Sequence, residues 1–443
     1  MGYLFPQSKW RQLGYRANLY STDPIEVSDS GRALLVGREM ELAKIHQHLV
    51  DGASVVALEG DYGVGKTSLA AVAAFEASEW RGHGGPLFLP AIRKLSLRPE
   101  DTRESFEKRA MRVVAGTILR SASVLMAEGR ELPGSDAVNR WLNSPELVSR
   151  NGQVNVSILG NGGGAGYGES RSLNEGSGFD DSGLISLVDD WLTFLFPDRE
   201  AGGVILFLEN LEELQDSRTA LNVMEPLRDP LFKRPGLRWM ITGAEGMVRA
   251  AYASPKMTGV FLNPIEVCPL ADEAAPQVIQ AREAELREDA DAVTPVTAEA
   301  FADLYNIIGK NLRYSLNLAE RYSADADVSA LRDLSASERD LLFRESMLSE
   351  SKRVYDAYAN NVTKADWKVF GTLIGEKAGS CSPSDYADFG YANPSPLIVR
   401  VRSLEQAQLV TYTVDDSDQR RRNISVTDHG RLAYYWKVHL SKG

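Results

Sequence analysis

One octapeptide limits what this chain can fold into more than any other stretch: Gly60-Asp61-Tyr62-Gly63-Val64-Gly65-Lys66-Thr67. It lies between a β-branched run, Ser54 to Leu58, and an alanine-rich helical pattern from Thr67 to Ala77. A strand, a glycine turn and a helix in that order let successive backbone N–H groups wrap inward around one point, at which the positive end of the helix dipole also aims. Such a cradle holds an anion, and the spacing of the glycines, lysine and threonine points to the phosphates of a nucleotide. Lys66 would neutralise the β- and γ-phosphates and the Thr67 hydroxyl would ligate Mg²⁺. ATP with Mg²⁺ is therefore the expected ligand, contacted by Gly60, Gly63, Gly65, Lys66, Thr67 and Ser68. No residue in the sequence excludes GTP.

The remainder reads as the sheet and helices that such a loop requires. Glu39 to Val50, Asp101 to Glu128 and Leu184 to Phe196 carry apolar residues at helical spacing. Gly203 to Leu208 is a continuous apolar run of the kind a parallel strand buried on both faces needs, and Leu237 to Thr242 is a third strand. Strands alternating with helices predict an α/β fold, a phosphate-loop NTPase with a parallel sheet. From Asp272 to Tyr322 the pattern is helical throughout, and helices continue to about Asn361. A chain of 443 residues divides into two or three domains. The expected units are an extended polar lead-in (1–34, with Ser28-Asp29-Ser30-Gly31), a nucleotide-binding domain (35–270), a lid (271–345), and a linker helix with a C-terminal domain (346–443). A glycine-rich insertion at about 151–181 begins with an alternating stretch from Gln153 that reads as one arm of a hairpin.

Composition narrows the class. With 43% hydrophobic and 25% charged residues the chain is an ordinary globular protein. Cys268 and Cys381 stand alone, without the His/Cys spacing of a zinc site, and the longest apolar runs are too short to cross a bilayer. A cytoplasmic protein without a membrane span is the expectation. The formal charge of −12 argues against a generally basic surface, but the stretch from Lys364 onward holds 11 Lys+Arg against 9 Asp+Glu, so positive charge collects at the C-terminus.

Mg²⁺ and an attacking water need carboxylates at the end of a neighbouring buried strand. The run Val204-Ile205-Leu206-Phe207-Leu208-Glu209-Asn210-Leu211-Glu212 supplies them in altered form. Glu209 stands where the metal-supporting acid is expected, and Asn210, which cannot act as a base, stands where a water-polarising glutamate is expected. Glu212 or Glu213 would serve as the base after a small shift of register. Binding is thus better supported than hydrolysis, and any ATPase activity is expected to be slow.

These motifs resemble those of the AAA+ ATPases, and within them the initiator branch of origin-recognition proteins. Leu35-Val36-Gly37-Arg38-Glu39 resembles that family's entry motif, which places Val36 against the adenine. Thr242, closing the third strand, resembles the first sensor in place of a more usual asparagine. Gly309-Lys310-Asn311-Leu312-Arg313-Tyr314-Ser315-Leu316 resembles the lid's second sensor, whose arginine, here Arg313, reaches the γ-phosphate. The resemblance also implies an arginine finger from a neighbouring subunit, with Arg249 or Lys256 as candidates, and hence a homo-oligomer. The region from Ala365 resembles a winged helix-turn-helix. Ser382 to Asp388 would be its positioning helix, Ser395 to Gln408 its recognition helix, and Val410–Val414 with Asn423–Val426 the wing. Arg400 and Arg402 would then reach a groove of duplex DNA, with Arg420, Arg421 and Arg422 on backbone phosphates. The leading expectation is a nucleotide-switched, DNA-binding regulator or loader. The alternative is a signal-transducing NTPase switch of bacterial immunity or regulation whose winged helix contacts protein.

Overall fold

The computed structural model describes residues 7–440 apart from 92, 137, 140–146, 151–152, 157–169, 173–180, 215–216, 245 and 415–421. A parallel sheet forms the first half. In chain order its strands are β1 (Val55–Glu59), β2 (Leu87–Pro90) and β3 (Leu95–Ser96), then, after an interruption, β7 (Gly202–Glu209), β8 (Leu237–Gly243) and β9 (Ile265–Glu266). The spatial order is β2-β7-β8-β1-β9, with β3 also paired to β7. Every residue of β1 and β8 is buried, as is all of β7 except Glu209. Hydrogen bonding on both edges and helices on both faces explain why these strands read as unbroken apolar runs. Short β2, β3 and β9 escape the sequence pattern because two to four residues carry no periodicity.

The helices around the sheet are α1 (Glu39–Val50), α2 (Lys66–Glu79), α3 (Arg103–Arg120), α4 (Asp181–Leu195) and α5 (Met247–Ala253). Ala70, Ala71, Ala73, Ala74 and Ala77 of α2 are all buried, so small side chains let this helix lie close against the strands. Trp239 of β8 anchors the opposite side. It is fully buried between Phe106 and Phe232, with Nε1 donating to the Leu231 carbonyl at 3.1 Å. Within the glycine-rich stretch the described backbone forms a small antiparallel sheet of β4 (Leu147–Arg150), β5 (Gln153–Val156) and β6 (Ser170–Ser172), with Arg150 opposite Gln153, as the alternating stretch from Gln153 predicts.

A second core joins α6 (Ala274–Leu286), α7 (Ala298–Ile307), α8 (Leu312–Asp325) and α9 (Ala336–Val354) to the C-terminal region. The helical pattern expected without break from 272 to 322 is interrupted between α6 and α7, where Arg287 bridges to Tyr15. That bridge belongs to a larger difference from expectation. The N-terminal stretch is no extended lead-in: Leu13, Tyr15, Leu19 and Tyr20 are completely buried in this core, and Asp29–Leu34 is a short helix capped by the Ser28 side chain. Sparse aromatic anchors in a polar segment lack the regular spacing that betrays a helix or strand, so the docking was not legible.

The C-terminal region contains α10 (Lys364–Gly375), α11 (Pro394–Gln406), α12 (Asp428–Leu440) and a three-stranded sheet, β10 (Ser380–Cys381), β11 (Val410–Val414) and β12 (Arg422–Val426), in the order β10-β12-β11. The pair β11 and β12 lies where the wing strands are expected. The expected positioning helix is a 3₁₀ segment, Pro383–Phe389, kinked at Asp385. Gly430, in the first turn of α12, is pressed against the chain: an added Cβ would lie 2.2 Å from the Leu409 carbonyl oxygen and 2.9 Å from the Phe370 ring. Gly430→Ala should therefore cost about 1–3 kcal/mol of stability in this region, read as a shift of its denaturation midpoint, with ATP affinity unchanged.

Candidate nucleotide-binding site

The phosphate loop leaves β1 through three glycines that cannot be replaced without disturbance. Gly63 and Gly65 have φ of +84° and +98°. A Cβ on Gly60 would meet the Val267 carbonyl at 2.3 Å, and one on Gly63 would meet Asn311 Oδ1 at 2.6 Å. The loop is thus fitted between β9 and the start of lid helix α8. Lys66, nine-tenths buried, donates from Nζ to the carbonyls of Gly60 and Asp61, both at 2.8 Å, which curls the loop around its own ammonium. Arg38, 4% exposed, donates to the Val64 carbonyl at 2.7 Å and pairs with Glu41. The entry motif therefore braces the loop from behind, a role its sequence position alone did not show.

One pocket collects most of the predicted residues. Gly63, Gly65, Lys66, Thr67 and Ser68 form its floor, and Val36 lies on its wall beside Leu34 and Leu35. Thr242 enters from the end of β8 and Arg313 from α8, so the two residues line the pocket from different elements. Arg313 lies over the Tyr62 ring, 4.7 Å from its centroid, which ties the lid directly to the phosphate loop. Asn210 also lines the pocket and takes a left-handed φ of +59°. Asparagine, like aspartate, tolerates that conformation better than the glutamate expected there, so the turn that follows β7 disfavours a glutamate at this position.

Other predicted residues are placed elsewhere. Glu209 is outside the pocket lining and forms an ion pair with Lys94 at 3.1 Å, so of the two expected Mg²⁺ ligands only Thr67 faces the loop. The backbone of Glu212 lies in a 3₁₀ turn, Leu211–Leu214, and its side chain is outside the described residues. Arg249, a finger candidate, donates from Nε at 3.0 Å to buried Glu59, and Lys256 pairs with Glu225 at 2.7 Å; both are engaged within their own chain. In the winged helix, Arg400 is turned back to Asp366 at 3.4 Å, Arg402 is exposed, and Arg422 lies over the Tyr412 ring. Burial alone would raise the Asp366 carboxyl, but hydrogen bonds from Thr363, Ser403 and Arg400 outweigh it and hold the group below the usual carboxylate range. Arg420 and Arg421 lie outside the described residues.

A glycine loop at the C-terminal end of a central parallel strand, opening directly into a helix, decides the architecture. This is a P-loop NTPase fold. No family model matches the sequence, and no curated protein matches it. Among solved structures, the ORC2 protein of Aeropyrum pernix in its ADP form is similar at 13% identity over 96% of this chain and 97% of that one, with a TM-score of 0.45. The ORC1 protein of the same organism in complex with DNA is similar at 14% identity, over 98% and 100%, with a TM-score of 0.41. The Walker-type ATPase of Pyrococcus abyssi is similar at 13% identity, over 94% and 98%, with a TM-score of 0.39.

The glycine cradle and Lys66 fit a triphosphate, and they separate binding from sensing. Lys66→Ala should abolish binding of ATP and ADP alike. Arg313→Ala should leave ADP affinity intact while weakening ATP about tenfold, roughly 1.4 kcal/mol, as measured by isothermal titration calorimetry.

Proposed function

We propose that this chain is an AAA+-type, ATP-binding conformational switch that assembles as a homo-oligomer and acts on duplex DNA. The observation that carries it is the convergence of Lys66, Thr242 and Arg313 on one pocket, because a lid cation aimed at the phosphate loop makes the lid angle depend on the γ-phosphate. Thr67 would hold Mg²⁺ arriving with the triphosphate. With Asn210 in place of an acid and Glu209 held by Lys94, turnover would be slow relative to binding. Among the described residues no helix is long and apolar enough to cross a membrane.

Support for the DNA output comes from charge. A groove of about 790 Å³ beside β3 and α3 is lined by Arg93, Lys94, Arg98, Arg109, Arg112 and Arg120. Asp101 on Arg109 and Glu209 on Lys94 offset part of this charge. So dense a basic cluster in a chain of −12 suits a phosphate backbone.

Specific contacts also favour a second reading, in which the winged helix is an internal clamp within a signalling switch. Asn311, whose Oδ1 caps α8 two residues before Arg313, donates from Nδ2 to Asp428 of α12 at 3.2 Å. Arg431 passes close against Gly309 of the lid and Gly379 of the winged helix and donates to the Ala378 carbonyl at 3.0 Å. Arg400, the expected base reader, is meanwhile paired to Asp366.

Native mass and fluorescence anisotropy on duplex DNA separate the readings, with no nucleotide, ADP or a nonhydrolysable ATP analogue. ATP should raise both mass and DNA affinity, and Lys66→Ala should lose both. The double variant Arg98→Ala/Arg120→Ala should weaken DNA binding about tenfold and flatten its salt dependence while leaving ATP affinity alone. If ATP changes the mass while DNA never binds, the clamp reading replaces the DNA-acting one.

A further inference from the structure

Phosphate binding explains every residue of the loop's spacing except Tyr62. Glycines at 60, 63 and 65 let the backbone wrap, and Lys66 and Thr67 supply charge and hydroxyl. Neither Asp61 nor Tyr62 takes a positive φ, so the turn itself makes no demand on the side chain at 62. Yet an aromatic ring stands there, 65% exposed, on the lining of the nucleotide pocket. Over its face lies Arg313, with the guanidinium carbon 4.7 Å from the ring centroid. Backbone fit brings the two together. A Cβ on Gly63, the residue after Tyr62, would lie 2.6 Å from Asn311 Oδ1 and 3.1 Å from Arg313 Cβ. Asn311 Oδ1 in turn accepts from the Tyr314 N–H at 3.1 Å, which fixes the first turn of α8 against the loop.

The other cations that line the pocket are held differently. Arg38 pairs with Glu41 at 2.9 Å, Lys66 donates to the Gly60 and Asp61 carbonyls, and Arg282 donates to the carbonyls of Leu19 and Ser21 at 2.8 and 2.9 Å. Among the described residues Arg313 pairs with no carboxylate and donates no hydrogen bond; the ring face is what holds it. A carboxylate in the same place would fix the guanidinium, but it would also cancel its charge and occupy its N–H donors. The ring quadrupole attracts the cation and takes up neither. An arginine held in this way has lost part of its rotamer freedom before a ligand arrives, while its charge and donors stay available to a phosphate oxygen.

We propose that Tyr62 is the positioning residue for Arg313: its ring holds the lid arginine beside the phosphate loop without neutralising it, and so sets how strongly the site prefers ATP over ADP. This rests on the nucleotide-binding reading above and assigns part of its ATP-against-ADP discrimination to the loop itself. Tyr62 acts through Arg313 rather than on the phosphates, and it does so through its ring rather than its hydroxyl.

The test compares ATP and ADP by calorimetry on the full chain, with the ratio of the two affinities as the readout. Tyr62→Leu, an exposed change that leaves the core untouched, should lower the ratio about fivefold by weakening ATP alone. Tyr62→Phe, which keeps the ring, should retain the wild-type ratio. In an Arg313→Ala background Tyr62→Leu should change the ratio no further, because the arginine through which it acts is gone. Three results overturn the proposal alone while Arg313→Ala still lowers the ratio: Tyr62→Leu at the wild-type ratio, Tyr62→Phe falling as far as Tyr62→Leu, or an undiminished effect of Tyr62→Leu without Arg313. If Arg313→Ala leaves the ratio unchanged, the lid-sensing reading falls with the proposal, and wild type that binds neither nucleotide overturns the site as well.

Discussion

The close fit of the phosphate loop between sheet and lid is the constraint on which the rest of the molecule depends. Gly60 leaves no room for a Cβ against the Val267 carbonyl, and Gly63 leaves none against Asn311. Successive N–H groups can converge on one point only if these positions stay bare and left-handed turns occur at Gly63 and Gly65. The same fit places β9 and the first turn of α8 within contact of the loop. The lid therefore touches the loop through Asn311 and through Arg313 stacked on Tyr62.

Two cores meet at this point. The sheet and its helices form one, and the lid, winged helix and N-terminal segment form the other. Around the pocket they are linked by Ile25 on Ser68, by Arg313 on Tyr62 and by the close approach of Gly63 to Asn311, and Arg32 pairs with Glu79 at the far end of α2. The C-terminal region shares the lid's core, is bonded to it through Asn311 and Asp428, and packs Arg431 against Gly309. The DNA-acting and clamp readings use the same linkage and differ in what the outer face of the winged helix meets.

The sequence made legible what periodicity and fixed spacing encode. The loop from Gly60 to Thr67, the buried strands β7 and β8, helix α1, and the strand pair of the wing appear close to where residue pattern places them. Thr242 and Arg313, separated by 71 positions, line the same pocket because their motifs are tied to strand and helix ends. What escaped was set by tertiary contact. Nothing in Tyr15, Leu19 or Tyr20 announces a segment buried in the second core, and Arg282, buried in α6, looks in sequence like any surface arginine. Glu209 satisfies the expected position in sequence, yet it pairs with Lys94, brought alongside by a two-residue strand. Asn210 reads as a lost base, whereas its positive φ shows a turn that favours asparagine.

The central claim is that the nucleotide bound at the loop sets the lid and, with it, the winged helix. Amide hydrogen exchange with ADP against a nonhydrolysable ATP analogue tests this most directly. The account predicts slower exchange in the ATP state at 60–68 and at 311–316, together with an altered rate at 426–432, where α12 meets the lid. Equal exchange at 311–316 and 426–432 in the two nucleotides, with the loop protected in both, would contradict it.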